Sequence, residues 1–123
     1  MSGMHRQSTA ARQRLFYALA EPTRRDIIEL LANKGQLSAT DICDNFDVSA
    51  PAISQHLKVL REANFVHVEK RAQQRIYQIN LDGMSEIEEW VQKMTKRLNE
   101  SFNVLDKILD MEKKKIMKGD ERS

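Results

Sequence analysis

The chain predicts a mainly α-helical fold with one small β-hairpin. Three observations carry this. Apolar residues recur every three or four positions along most of the 123-residue sequence. Only the stretch Val66 to Asn80 alternates with a period of two. Glycine and proline are scarce, at four and two, which leaves few turns for a sandwich or barrel. Hydrophobic residues make up 41%, a globular share, and the length suits one domain with one modest core.

The elements follow in order. A helix is expected from about Ser8 to Ala20, with Leu15, Phe16 and Leu19 on its apolar side. Pro22 restricts Glu21 and favours a fresh helix start. The second helix runs to about Asn33 with Ile27, Leu30 and Leu31, and Gly35 is its C-terminal stop. Ser38-Ala-Thr-Asp41 fits a capping box, and the short helix behind it carries Ala39, Ile42, Cys43 and Phe46 on one face. After a turn at Asp47-Val48, Ser49 can cap a fourth helix, with Pro51 in its first turn where a missing donor costs nothing. Ile53, Leu57 and Leu60, at i, i+4 and i+7, form its buried stripe. The outer face near its start is small and polar, which suits close approach to base edges and phosphates. Two short helices joined by a turn make a helix-turn-helix. Val66 and Val68, then Tyr77 and Ile79, alternate as in two half-buried strands, and Arg71-Ala-Gln-Gln74 links them into a wing. From about Asp82 a long amphipathic helix is expected to reach about Lys115, its 3-4 spacing interrupted at Ser101. The expected organisation is a winged helix-turn-helix over 8–81, a helical dimerisation extension over 82–115, and flexible ends at 1–7 and 116–123.

Composition excludes more than it assigns. The net charge of +2 is weak evidence for a nucleic-acid partner, so the local distribution matters. Between Ser49 and Asn80, Lys58, Arg61, Lys70, Arg71 and Arg75 outnumber Glu62 and Glu69. That excess suits a phosphate-facing surface. The lone Cys43 excludes an internal disulfide and a multi-thiolate metal site. No apolar run reaches membrane-spanning length and no signal segment opens the chain, so a cytoplasmic protein without a membrane role is expected. There is no nucleophile–base pairing, glycine-rich phosphate loop or paired carboxylate in an apolar setting, so the chain does not read as an enzyme.

The element order and two local motifs resemble the ArsR/SmtB family of bacterial and archaeal repressors. Leu19-Ala-Glu-Pro-Thr-Arg-Arg25 is similar to that family's opening L-x-[DE]-P-T-R-R, and Ser54-Gln-His-Leu-Lys-Val-Leu60 to its recognition core S-x-H-L-x-x-L. The resemblance spans roughly Leu15 to Trp90. It implies a homodimer that sits on a double-stranded DNA operator, blocks transcription and is released by an inducing signal. Arsenic-sensing members carry Cys-x-Cys where this chain has Ser38 and Thr40. Members that bind zinc between their last helices use Asp, His, His and Glu; Asp82 is in about the right place, but no histidine follows His67. No metal or other cofactor is therefore expected, and the inducer, if a small molecule, is of unknown identity.

The expected DNA contacts are Ser49, Ala50, Ala52, Ser54, Gln55, His56 and Lys58 on the recognition helix, with Arg71, Gln73 and Arg75 on the wing. Ser54 and Gln55 are the base-edge candidates. His56, at the edge of the buried stripe, either braces the helix or touches a phosphate. Leu15, Leu19, Met84, Ile87, Trp90, Val91, Met94 and Leu98 are expected at the dimer interface. Trp90 and Phe102 are either interface core or the lining of a ligand pocket. Cys43 is either a small core residue or a redox-sensing thiol. The alternative function is a protein-interaction module that works through its long helix.

Overall fold

The structure is a computed structural model that describes the backbone of residues 2–122 and the side chains of residues 9–116. The expected flexible ends fall almost wholly outside the described side chains. Eight elements follow in order: α1 (Ser2–Ala20), α2 (Pro22–Lys34), β1 (Gln36–Ser38), α3 (Ala39–Asp44), α4 (Ala50–Glu62), β2 (Val66–Arg71), β3 (Gln74–Ile79) and α5 (Leu81–Arg122). The chain divides into two compact units, Met1–Ile87 and Glu88–Ser123.

In the first unit the caps foreseen from the sequence close as local chemistry requires. The Ser38 hydroxyl accepts from Asp41 N at 3.1 Å and the Ser49 hydroxyl from Ala52 N at 3.3 Å. Gly35 takes a φ of 87° and its N–H returns to Leu31 O, ending α2. Asn80 is buried and its side-chain oxygen accepts from Asp82 N, which starts α5. Past α4, Asn64 adopts a φ of 61°, with Asn64 N bonded to Arg61 O and Phe65 N to Leu60 O. This pair of bonds is a Schellman closure, and the Phe65 that follows is fully buried in the core. The turn therefore fixes the angle at which the chain leaves α4 for β2.

The hairpin is part of a three-stranded antiparallel sheet in the order β1-β3-β2. The third strand was not expected. Gln36-Leu37-Ser38 is too short to show a period, and Ser38 reads as a helix cap, which it also is. Leu37 and Val68 both lie opposite Tyr77. The core combines Ile27, Leu31, Ile42, Ile53, Leu57, Leu60 and Phe65 with Tyr77 from the sheet.

The described helices run further than expected. α1 begins at Ser2 rather than Ser8. α5 is one α-helix through Ser101 and passes Lys115. Its first residues belong with the winged-helix unit, which extends beyond the expected boundary after residue 81. Gly83 N bonds Asn64 O at 3.1 Å, and Ile87 packs against the core.

Two expected interface residues are already used within the chain. Leu15 is 3% exposed in the core and Leu19 packs against it, because α1 turns that face onto the rest of its own unit. Among the described residues, the large apolar side chains that α1 leaves exposed are Phe16 and Tyr17. Ile87 is likewise half-buried against the core, whereas Met84, Val91 and Leu98 remain exposed and Trp90 and Met94 are half-buried.

Candidate nucleic-acid interface

The recognition helix meets the wing across an open polar cleft of about 420 Å³ lined by Pro51, Ser54, Gln55, Lys58, Arg61, Arg75 and Tyr77. α4 supplies most of it. Ile53, Leu57 and Leu60 anchor the helix inward, so Ser54, Lys58 and Arg61, also at i, i+4 and i+7, share the outward face. β3 supplies the opposite wall. Arg75 and Tyr77 are two apart and so project from one side of the strand, Tyr77 buried and Arg75 exposed. Three cations converge on this cleft, and among the described residues no salt bridge closes on any of them.

Of the expected contacts, the structure brings Ser54, Gln55, Lys58 and Arg75 into the cleft. Ser49 and Ala50 are exposed at the start of α4, and Ala52 is half-buried beside them. Gln73 is exposed in the wing turn. Arg71 is exposed but engaged: Nη2 bonds Glu69 Oε2 at 2.9 Å and Nη1 bonds Gln36 Oε1 at 3.2 Å. The strand that carries Gln36 was invisible in the sequence, so this tether was too. Pro51, Arg61 and Tyr77 complete the lining without having been named as contacts. For Arg61 the signal was available, since it lies three residues from Lys58 on the polar face.

His56 faces the other way. It is half-buried on α4, with Arg24 Nη1 3.3 Å from its Nδ1. Glu21 Oε2 lies 3.8 Å from the same nitrogen. Arg24, 7% exposed, is the hub of this cluster. Its Nε bonds Ala18 O at 2.7 Å, its Nη2 bonds Tyr17 O at 2.9 Å, and its guanidinium sits 5.0 Å from the Tyr17 ring centre. Arg25 Nη1 bonds Leu19 O at 2.7 Å. Consecutive arginines thus satisfy the carbonyls that the end of α1 leaves without helical partners. At Glu21, burial works to raise the carboxyl, but the Arg24 N–H bond, the neighbouring His56, the Thr23 hydroxyl and the Arg24 charge outweigh it and hold it below its ordinary value. The Glu-Pro-Thr-Arg-Arg stretch is therefore a structural clamp that ties α1 and α2 to the recognition helix.

Cys43 is half-buried against the core. Among the described residues no three His, Cys, Asp or Glu side chains gather as a metal site. No described helix is long and apolar enough to cross a membrane.

A helix-turn-helix flanked by a sheet-built wing, with a basic cleft between recognition helix and wing, defines a winged-helix DNA-binding protein. Comparison with known proteins gives the family. Residues 21–68 match the family model described as bacterial regulatory protein, arsR family. The transcriptional repressor SdpR of Bacillus subtilis is 34% identical over 77 residues, which cover 63% of this chain and 84% of that protein. The HTH-type transcriptional regulator Rv2034 of Mycobacterium tuberculosis is 42% identical over 72 residues, 58% of this chain and 66% of its own. An ArsR-like transcriptional regulator from Rhodococcus sp. RHA1 shares the fold with a TM-score of 0.74 at 20% identity, over 83% of this chain and 95% of that one. The chain belongs to the ArsR family of transcriptional regulators; it is a DNA-binding protein and not an enzyme.

Proposed function

We propose that this regulator is a dimeric repressor of a palindromic operator, with α4 reading bases and Lys58, Arg61 and Arg75 holding phosphates. The cleft between α4 and β3 carries this reading, because small polar side chains and three cations share one exposed surface. Ser54 and Gln55 are the base readers, with Ser49, Ala50 and Ala52 allowing close approach. Two recognition helices of a two-fold dimer would lie one DNA turn apart, roughly 34–36 Å, so the operator has two inverted half-sites. The apolar side chains left exposed on α5, with Leu98 central among them, support pairing of two chains. The relatives named as repressors support repression rather than activation. Family-type metal sensing is not proposed, because Ser38 and Thr40 stand where thiolates would be needed and Cys43 is alone. Release then depends on another signal, such as a small molecule.

The test combines footprinting with site selection from random duplexes. Two inverted half-sites are expected, and Gln55→Ala should relax the choice at one position per half-site at a cost of about 1–3 kcal/mol. An unchanged preferred site in Gln55→Ala would remove that residue from base reading. Light scattering should find two or more chains, and Leu98→Asp should lower the number of associated chains while the winged-helix fold is kept. Zinc or arsenite that abolishes DNA binding at stoichiometric amounts would show that a metal site was missed.

A further inference from the structure

The apolar face of α5 changes width partway along. From Met84 the seam advances in steps of three and four through Ile87, Val91, Met94 and Leu98, the a and d positions of a heptad. The flanking e and g positions there are Glu88, Trp90, Thr95 and Arg97, so only one of the four is apolar and the seam is narrower than further along. Beyond Ser101 the a and d positions are Leu105 and Ile108, but the flanks turn apolar too: Phe102, Leu109 and Ile116 at e, Val104 and Met111 at g. All seven are between 50% and 64% exposed. A two-helix seam would cover Leu105 and Ile108 and leave five large side chains in water. Seven large apolar side chains exposed within sixteen residues form one continuous face, not the single scattered residues of an ordinary surface. Four apolar positions per heptad fit a helix with neighbours on two sides, as in a four-helix bundle.

Charge selects the occupant and its direction. Residues 101–110 carry Asp106 and Asp110 against Lys107, and are net acidic; residues 111–116 carry Lys113, Lys114 and Lys115 against Glu112, and are net basic. A parallel in-register pair would set Glu112, an a position, against its own copy and stack the two basic ends. An antiparallel pair sets the acidic half of one copy against the basic half of the other. The two halves of the segment thus differ in the sign of their net charge, which favours the antiparallel direction.

We propose that the 101–116 segment of α5 docks antiparallel on the same segment of other copies and joins two dimers into a tetramer that can hold two operators at once. This rests on the dimer reading and is separable from it. The decisive variant combines Val104→Lys with Leu109→Lys, at flanking positions that a two-helix seam does not need and that no described core contact uses. Sedimentation at micromolar concentration should give four chains for the wild type and two for the variant, with single-operator affinity unchanged. Wild type and variant should differ on DNA bearing two separated operators, where only the wild type loops or binds cooperatively. A wild type of two chains overturns the tetramer and spares the dimer; a monomer overturns both; a variant that stays at four chains places the contact elsewhere. Zero-length crosslinking of mixed isotopically labelled and unlabelled chains should join Asp106, which borders the apolar face at b, to Lys113–Lys115 of another copy. A tetramer without those links would overturn the antiparallel direction.

Discussion

Replacing Arg24 with alanine strands three partners together: the Ala18 and Tyr17 carbonyls and the His56 ring. The carbonyls sit at the end of α1, where no further helical N–H reaches them, and His56 sits on the recognition helix. Removing one member of such a buried charged cluster costs about 3 kcal/mol or more. Urea unfolding of Arg24→Ala should show that loss. Arg24→Lys should recover only part of it, since an ammonium cannot span Nε and two Nη contacts at once. A cost within about 0.5 kcal/mol, typical of surface changes, would mean the clamp contributes nothing. At this scale the sequence was half legible. The arginines stood out through the family-like stretch, but their work did not, because it depends on which carbonyls α1 leaves open. His56 shows the same limit: the periodicity set it at the edge of the stripe and left bracing and phosphate contact equally open, and its fate was decided by Arg24, thirty-two residues away.

Among the elements, helices with strong periodicity and clear caps were legible, as α2, α3 and α4 show. β1 was not, because three residues show no period and its pairing partner lies about forty residues away. Two backbone positions test the element joints in opposite directions. Ala72 opens the two-residue wing turn with a φ of 53°, a conformation that costs a residue with a Cβ about 1–2 kcal/mol. Glycine relieves this and gives back part of the gain as unfolded-state entropy. Ala72→Gly should therefore stabilise by several tenths of a kcal/mol and raise Tm by a few degrees. At Gly83, inside α5, propensity alone predicts that alanine gains about 1 kcal/mol. The structure predicts a loss, because a Cβ there would meet Asn64 O at 2.6 Å and Phe65 Cδ1 at 3.0 Å. Overpacking against backbone costs about 1–3 kcal/mol, so thermal unfolding of Gly83→Ala reads directly which term wins. A raised Tm would show that α5 does not seat against the Asn64 turn.

For the molecule as a whole, a net charge of +2 hides a local excess of cations on the proposed DNA face. Lys58, Arg61 and Arg75 converge on one cleft, while Arg71 is held at the wing by Glu69 and Gln36. The Arg71–Glu69 pair is exposed on both sides, at 51% and 60%, so it stabilises the fold by at most about 1 kcal/mol, but it cancels a charge where a phosphate would pass. Glu69→Gln should therefore leave Tm almost unchanged and strengthen DNA binding. In the proposed two-fold dimer each substitution acts twice, so freeing one proposed phosphate contact per chain should steepen the slope of log affinity against log salt by roughly two units, at about 0.9 per contact. Arg75→Ala should flatten it by the same amount. The Glu69→Gln gain should be largest at low salt and vanish at high salt, as counterion release requires. Combining Glu69→Gln with Arg71→Ala separates the two causes. If the gain needs Arg71, the double variant loses it. If the gain survives, Glu69 repels the DNA directly and Arg71 is a fastening for the wing, not a hand on the backbone.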